Sequence, residues 1–381
     1  MVEIKRNLDR ILKKSETFFL RNDSDMPLLG FFLLGRNYMQ IFKRTFKNIS
    51  AKKEIEPGDI IIEDFIKDIE EIIDASEEIA QDIFFPVSPF QYIPWMEAII
   101  GCPIFVGKES LYSKPFLNNL DEYKFHEITL FANKWFKKLA EIFMVLLDLT
   151  GDRYPVSTST HMRGPADMIS AAMGPTQFCL ELKDNPKKIM KLINYYTNLF
   201  IEVARLQHDL VKNSKFKHGF TVSGFGLLTP VICQHVQDDA VAILSPKIYN
   251  DFFLEAHAKI ISSFESSFYH IHPVSLFIVD ELIKIKKLDI IEINREPVPI
   301  GPDMEGLIPY FKKIQDSNKS IFVHFTDIDF SVNLIEKEVE LVMGQLSKKG
   351  LCINVCVDTI DDGIIKNAVV NKIFLKHKAS S

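Results

Sequence analysis

The 381-residue chain has no uninterrupted apolar stretch approaching the roughly 18 residues that a membrane-crossing helix needs. Its first residues, Met-Val-Glu-Ile-Lys-Arg-Asn-Leu-Asp-Arg, lack the apolar core and small-residue cleavage site of a secretory signal. Cysteine is scarce. The five (Cys102, Cys179, Cys233, Cys352 and Cys356) are odd in number and mostly scattered, which excludes a disulfide framework and predicts reduced thiols. Positive charge is not in excess: the formal net charge is −6, so a basic stripe for nucleic acid is not expected. There is no Gly-rich dinucleotide fingerprint, no internal repeat and no low-complexity linker. These absences predict a cytoplasmic protein with neither nucleic-acid nor membrane partners.

What is present fits a large folded core. Hydrophobic residues make up 47% of the chain and charged residues 25%. Residues 59–81 carry Ile62, Phe65, Ile66, Ile69, Ile72 and Ile73 near a 3.6 repeat, an amphipathic helix with an acidic solvated face. Residues 84–95, rich in proline and aromatics, read as a loop. Residues 124–149 and 186–212 read as long helices, and Tyr154–Thr160 as a short strand entering a polar loop. From residue 220 onward short apolar strands alternate with helices. Strands are predicted at 220–223, 267–272, 289–294, 320–325 and 351–357, with helices after 245 and over 279–286, 306–316, 332–348 and 361–371. Successive β/α units indicate a parallel sheet, and their number favours a (β/α)8 TIM barrel over a doubly wound sheet. The expected organisation is one domain over 1–381, with residues 1–25 as an N-terminal helical extension.

In such a barrel, reacting groups gather where the strands end. Read that way, the candidates are Asp238 and Asp239, His270 and His272, Glu292 and Asn294, His324, and Cys356 with Asp358. The pair in Phe-Tyr-His270-Ile-His272-Pro stands two residues apart, so on a strand both imidazoles face one way. With Cys356 they form a three-ligand set for a divalent metal, zinc by the softness of thiolate, with an open fourth position. The same pair can instead only hydrogen-bond to loops. Cys352 reads as core. Asp238 and Asp239 either orient substrate or cap a helix. Glu292 and His324 can act as general bases or hold other groups in place. Arg163, beside His161, can hold a carboxylate or merely pair with an acid. His126, His208, His218, His235, His257 and His377 read as structural or surface residues.

Several segments resemble the uroporphyrinogen decarboxylase superfamily, which includes cobalamin-dependent methyltransferases. Pro27 through Tyr38 is similar to the family's N-terminal strand ending in Gly-Arg-x-Tyr, here with Arg36. Gly164-Pro165 through Pro186, and Asp238 through Phe252 with its Leu-Ser-Pro turn, resemble two further segments. His270-Ile-His272 falls where the family has His-x-Cys or His-x-Gly. The chain departs from true decarboxylases at Phe85–Phe90, where a catalytic aspartate is expected, and at Asn354-Val-Cys356, where a histidine is expected. The resemblance therefore implies the corrinoid-linked methyltransferase branch. It implies zinc at His270, His272 and Cys356, and a small-molecule substrate with Arg36, Arg163 and Asp238 as contacts. Glu292, His324 and Asp239 would be catalytic, the methyl carrier would be cobalamin on a partner corrinoid protein, and a homodimer would form. The alternatives are a metal-independent decarboxylase or lyase, and a non-catalytic small-molecule-binding barrel.

Overall fold

Period-two alternation in the second half of the chain sorts each strand into an outer and an inner face. Ile321, Val323 and Phe325 lie in the large core beneath the helices, as do Ile353, Val355 and Val357. Their alternating neighbours Phe322 and Cys352 belong to a separate inner cluster with Phe268 and Ile290. The computed structural model describes residues 8–33, 41–108, 110–118, 120 and 128–379. Its main sheet has six parallel strands: β1 (Leu28–Leu33), β2 (Cys233–Val236), β3 (Ser266–Ile271), β4 (Leu288–Arg295), β5 (Ser320–Phe325) and β6 (Leu351–Val357). Their order is β1-β6-β5-β4-β3-β2. Strands β3 to β6 fall where the sequence predicts them, and the helices Met304–Asp316, Val332–Gln345 and Ile360–Ala379 cross between or after them.

The expected eight-stranded ladder is not present as such. Two extended segments join β1 to β2 in place of regular strands. Asp82 and Gln81 stand in for a partner strand: the Leu29 and Phe31 amides donate to their side chains at 3.1 and 2.7 Å, and the Asp82 amide donates to Leu29 O at 2.7 Å. Val87 then makes a single parallel bridge to Val156, and Ser157 another to Thr221. The Thr158 hydroxyl donates to Cys233 O of β2 at 3.1 Å. Pro86 and Pro155 have no amide hydrogen to give, so neither segment can extend its ladder. The predicted strand at 220–223 is two residues long and pairs antiparallel with Leu228–Thr229. Strand β2 was not anticipated, because Cys-Gln-His-Val is short and half polar.

Of the expected extension over residues 1–25, Leu8–Phe19 is helix. It is fastened to the β1 side of the sheet by Lys14, whose ammonium meets Asp82 at 2.8 Å. Its Phe18 packs into the inner cluster and closes that end of the lumen. The helix expected at 59–81 runs Ile62–Ser76, and the one expected at 124–149 runs Lys134–Thr150, with 121–127 outside the described residues. The helix after 245 is interrupted by a π turn over Tyr249–Phe253. Among the described residues no helix is long and apolar enough to cross a membrane.

The turn between Thr221 and Leu228 enters the lumen and carries Phe225 at its tip. The Phe225 ring lies 4.6 Å from Phe268 and 5.4 Å from Phe322, centroid to centroid. Gly226 makes this insertion workable. Its φ is +63°, and a Cβ there would lie 1.6 Å from Phe84 O, while the Phe84 amide donates to Gly226 O at 2.9 Å. Replacing Gly226 by alanine should destabilise the protein by more than about 2 kcal/mol in urea unfolding. Gly344, exposed in a helix with open space around its Cα, should behave oppositely: Gly344→Ala should stabilise by about 0.5–1 kcal/mol.

Candidate active site at the mouth of the sheet

The inner faces of β2 to β6 change from apolar to polar within one step toward their C-terminal ends. Phe268, Ile290, Phe322 and Cys352 give way to His270, Glu292, His324 and Asn354, with His235 from β2. Above this layer opens a cavity of about 420 Å³, floored by Phe225. One wall is the aromatic-rich loop, through Tyr92, Ile93 and Pro94, with Phe32 and Leu111. The other walls are polar: His161 and Arg163, Gln237, His270 and His272, Asn294 and Glu296, His324 and Thr326, and Cys356.

The structure joins His270 and His272 with Asp239: one donor atom from each lies within 4.8 Å of the others. The His272 Nε2 is 3.7 Å from an Asp239 oxygen. Each imidazole is held from its other side by a carboxylate, His270 Nδ1 by Glu292 and His272 Nδ1 by Glu296, with the Asn294 amide 3.1 Å from the latter nitrogen. A carboxylate on Nδ1 fixes the tautomer and leaves Nε2 as the donor atom, the arrangement usual for metal-binding histidines. Gln237 donates to Asp239 and also meets His161 Nε2.

Cys356 does not complete that set. Its thiol lies 3.1 Å from His324 Nε2, and His324 Nδ1 lies 3.4 Å from the second Glu292 oxygen. Glu292, fully buried, therefore stands between His270 and His324. Burial alone would raise its pKa, but the two imidazoles outweigh that and lower it to about 2. Burial likewise opposes a charge on His270, yet Glu292, with Asp239 and Glu296, raises it to about 9. Asp239 is lowered: its burial is outweighed by His270 and His272. His161 is lowered to about 4, chiefly by burial.

Arg163 stands at the cavity as expected. Its guanidinium meets the fully buried Glu97 at 3.1 Å, and about half of the side chain stays exposed. Asp238 has a different task from substrate contact. It accepts from the Ala166 and Asp167 amides at 3.0 and 2.7 Å, capping the helix Pro165–Met173, and His257 donates to it at 2.9 Å. Asp167 reciprocates, accepting from the Asp239 and Ala240 amides at 3.0 and 2.7 Å. Both Asp238 oxygens accept from within the protein, and Asp238 does not line the cavity. Arg36 and His126 lie outside the described residues. Asp358 does not line the cavity; its amide faces Asp362. Cys352 is core, as expected.

Sequence reasoning missed Glu296 and Gln237. Glu296 was within reach, since 292, 294 and 296 continue one inward alternation past the end of β4. Gln237 was not, because the strand before it was not recognised.

No protein-family model matches the sequence, and no curated protein matches it. Among solved structures, a GH18 chitinase from Pseudoalteromonas aurantia is similar at 12% identity, covering 75% of this chain and 98% of that one, with a TM-score of 0.35.

The pair His270–Glu292 predicts a two-sided pH dependence of stability in metal-free protein. His270 is raised above its ordinary 6.5, so its contribution is complete below about 6.5 and disappears as pH rises through about 9. Glu292 is lowered below its ordinary 4.5, so its contribution is complete above about 4.5 and disappears as pH falls toward 2. Thermal melting in a chelator should show wild type exceeding Glu292→Gln most between about pH 4.5 and 6.5, with the gap narrowing toward pH 9. A gap that is constant across this range would show that the two groups are not ionised partners.

Proposed function

We propose that the chain is a metal-dependent enzyme acting on a small molecule in the cavity, with Asp239, His270 and His272 as ligands of a divalent metal. The observation that carries this reading is the convergence of two imidazoles and a carboxylate, each imidazole backed by a second carboxylate. The donor set suits zinc or another borderline divalent ion. When bound, such an ion acts as a Lewis acid toward a substrate heteroatom. Arg163, held by Glu97, orients an anionic group of the substrate, and Glu292 with His324 manages protons at the opposite wall.

The reaction favoured is methyl transfer between the substrate and a corrinoid, as the sequence resemblance implies. A cavity of this size admits a small molecule, so the corrin would approach the mouth on a partner protein. Val274, Val298 and Ile300, exposed on the loops beyond His272 and Glu296, support an apolar contact there. The fold reading that goes with this is a complete (β/α)8 barrel, with residues 82–87 and 154–158 as its irregular staves. The fixed guanidinium of Arg163 also suits a carboxylated substrate, which keeps a lyase as the second reading.

Metal analysis of full-length protein purified without a metal-affinity tag tests the proposal. One zinc per chain is expected, lost in His272→Ala and in Asp239→Ala but retained in Cys356→Ala. Glu296→Gln should weaken affinity about 10- to 100-fold by freeing the His272 ring. Absence of metal from protein prepared in reducing, metal-replete buffer would sink the reading.

A further inference from the structure

Opposite the proposed metal ligands, the cavity presents a thiol, an imidazole and a carboxylate in series. The distances are 3.1 Å from Cys356 Sγ to His324 Nε2 and 3.4 Å from His324 Nδ1 to Glu292. Cys356 and His324 both line the cavity, beside the apolar faces of Phe32 and Phe225. The order is that of an activated nucleophile: attacking atom, base, and a group that orients the base, at spacings that are often loose before substrate binds. Adjacent strands supply the first two groups, since β5 pairs with β6, so their relation is fixed by the sheet.

We propose that Cys356 is a nucleophile toward small esters or thioesters, with His324 as its base, and that it carries the acyl group as a thioester. As the sulfur bonds to the acyl carbon, the thiol proton passes to His324 Nε2. The bond from that carbon to the leaving oxygen or sulfur then breaks, and His324 returns the proton to the departing alcohol or thiol. Water releases the acid and restores the thiol by the same path. Glu292, 3.4 Å from the ring's Nδ1, is a positioning residue that faces it as an anion. Burial raises the Cys356 pKa, which keeps a neutral thiol in the resting site and makes proton transfer to His324 part of the attack. The proposal does not depend on the metal.

Full-length protein, with and without added zinc, is mixed with p-nitrophenyl acetate, and nitrophenolate release is followed alongside peptide mass. One acetyl group per chain is expected on the peptide carrying Cys356, with the exposed Cys179 as internal reference. Cys356→Ala should abolish the rapid phase yet still bind zinc, which separates this proposal from the metal reading. His324→Ala should slow acetylation about 100-fold or more. Glu292→Gln should slow it while leaving the amount of acetyl-enzyme unchanged. If circular dichroism shows His324→Ala to be unfolded, His324→Gln takes its place. Acetyl found on Cys179 alone, or an undiminished rate in a folded His324 variant, would overturn the proposal.

Discussion

The site depends on one buried carboxylate. Glu292 has no exposure to solvent, and an isolated charge there would be untenable. It is sustained by two imidazoles, His270 on β3 and His324 on β5, the strands flanking its own. The dependence runs both ways. Glu292 holds His270 through Nδ1, so that ring turns Nε2 toward the mouth, while His324 turns Nε2 to Cys356 with its Nδ1 3.4 Å from Glu292. Parallel pairing on both sides of β4 fixes the three residues relative to one another, so the site's precision comes from the sheet.

Below this layer the inner face of the sheet is apolar and closely packed. Phe225 lies beneath the rings of His235, His270 and His324 and above those of Phe268 and Phe322. The polar layer itself is under-satisfied: both nitrogens of His235 and both amide atoms of Asn354 are buried with no hydrogen bond from the chain. Each such atom costs on the order of 1–3 kcal/mol. A sheet built for stability alone would continue its apolar pattern through these positions. Polar groups gathered at the mouth end, over an otherwise apolar stack, are what a ligand-binding interior requires.

Sequence periodicity recovered strands β3 to β6 almost to the residue, because each alternates Ile, Val or Phe outward with a different inner residue. It missed pairing made by side chains, as at Asp82, since no period marks such contacts, and over Tyr154–Thr160, where a strand was expected, the ladder amounts to single bridges at Val156 and Ser157. Among candidate site residues, those on regular strands were legible from alternation. Asp239 was named as a catalytic and substrate-orienting residue, and its place beside His270 and His272 was not foreseen; the surroundings of Asp238 were missed for a related reason. Its role is set by helix Pro165–Met173, far away in sequence, and reciprocal capping with Asp167 has no local signature. Glu97 shows the same limit: its partner Arg163 is brought to it only by the fold.

Cys356 stands apart from the cluster of Asp239, His270 and His272 for a reason of sheet geometry. His270 is on β3 and Cys356 on β6, with β4 and β5 between them. At about 4.8 Å per strand, three spacings separate the two backbones by roughly 14 Å along the sheet. Curling shortens that path, but the side chains of Glu292 and His324 occupy the interval and already use the inner atoms of both ends. A common ligand set would have to displace a buried carboxylate and an imidazole that face each other at 3.4 Å. Asp239 follows β2, the strand next to β3, and its backbone is tied by Asp167 where its carboxylate reaches both imidazoles. The fold thus sets two clusters of polar side chains on opposite walls, with Glu292 between them.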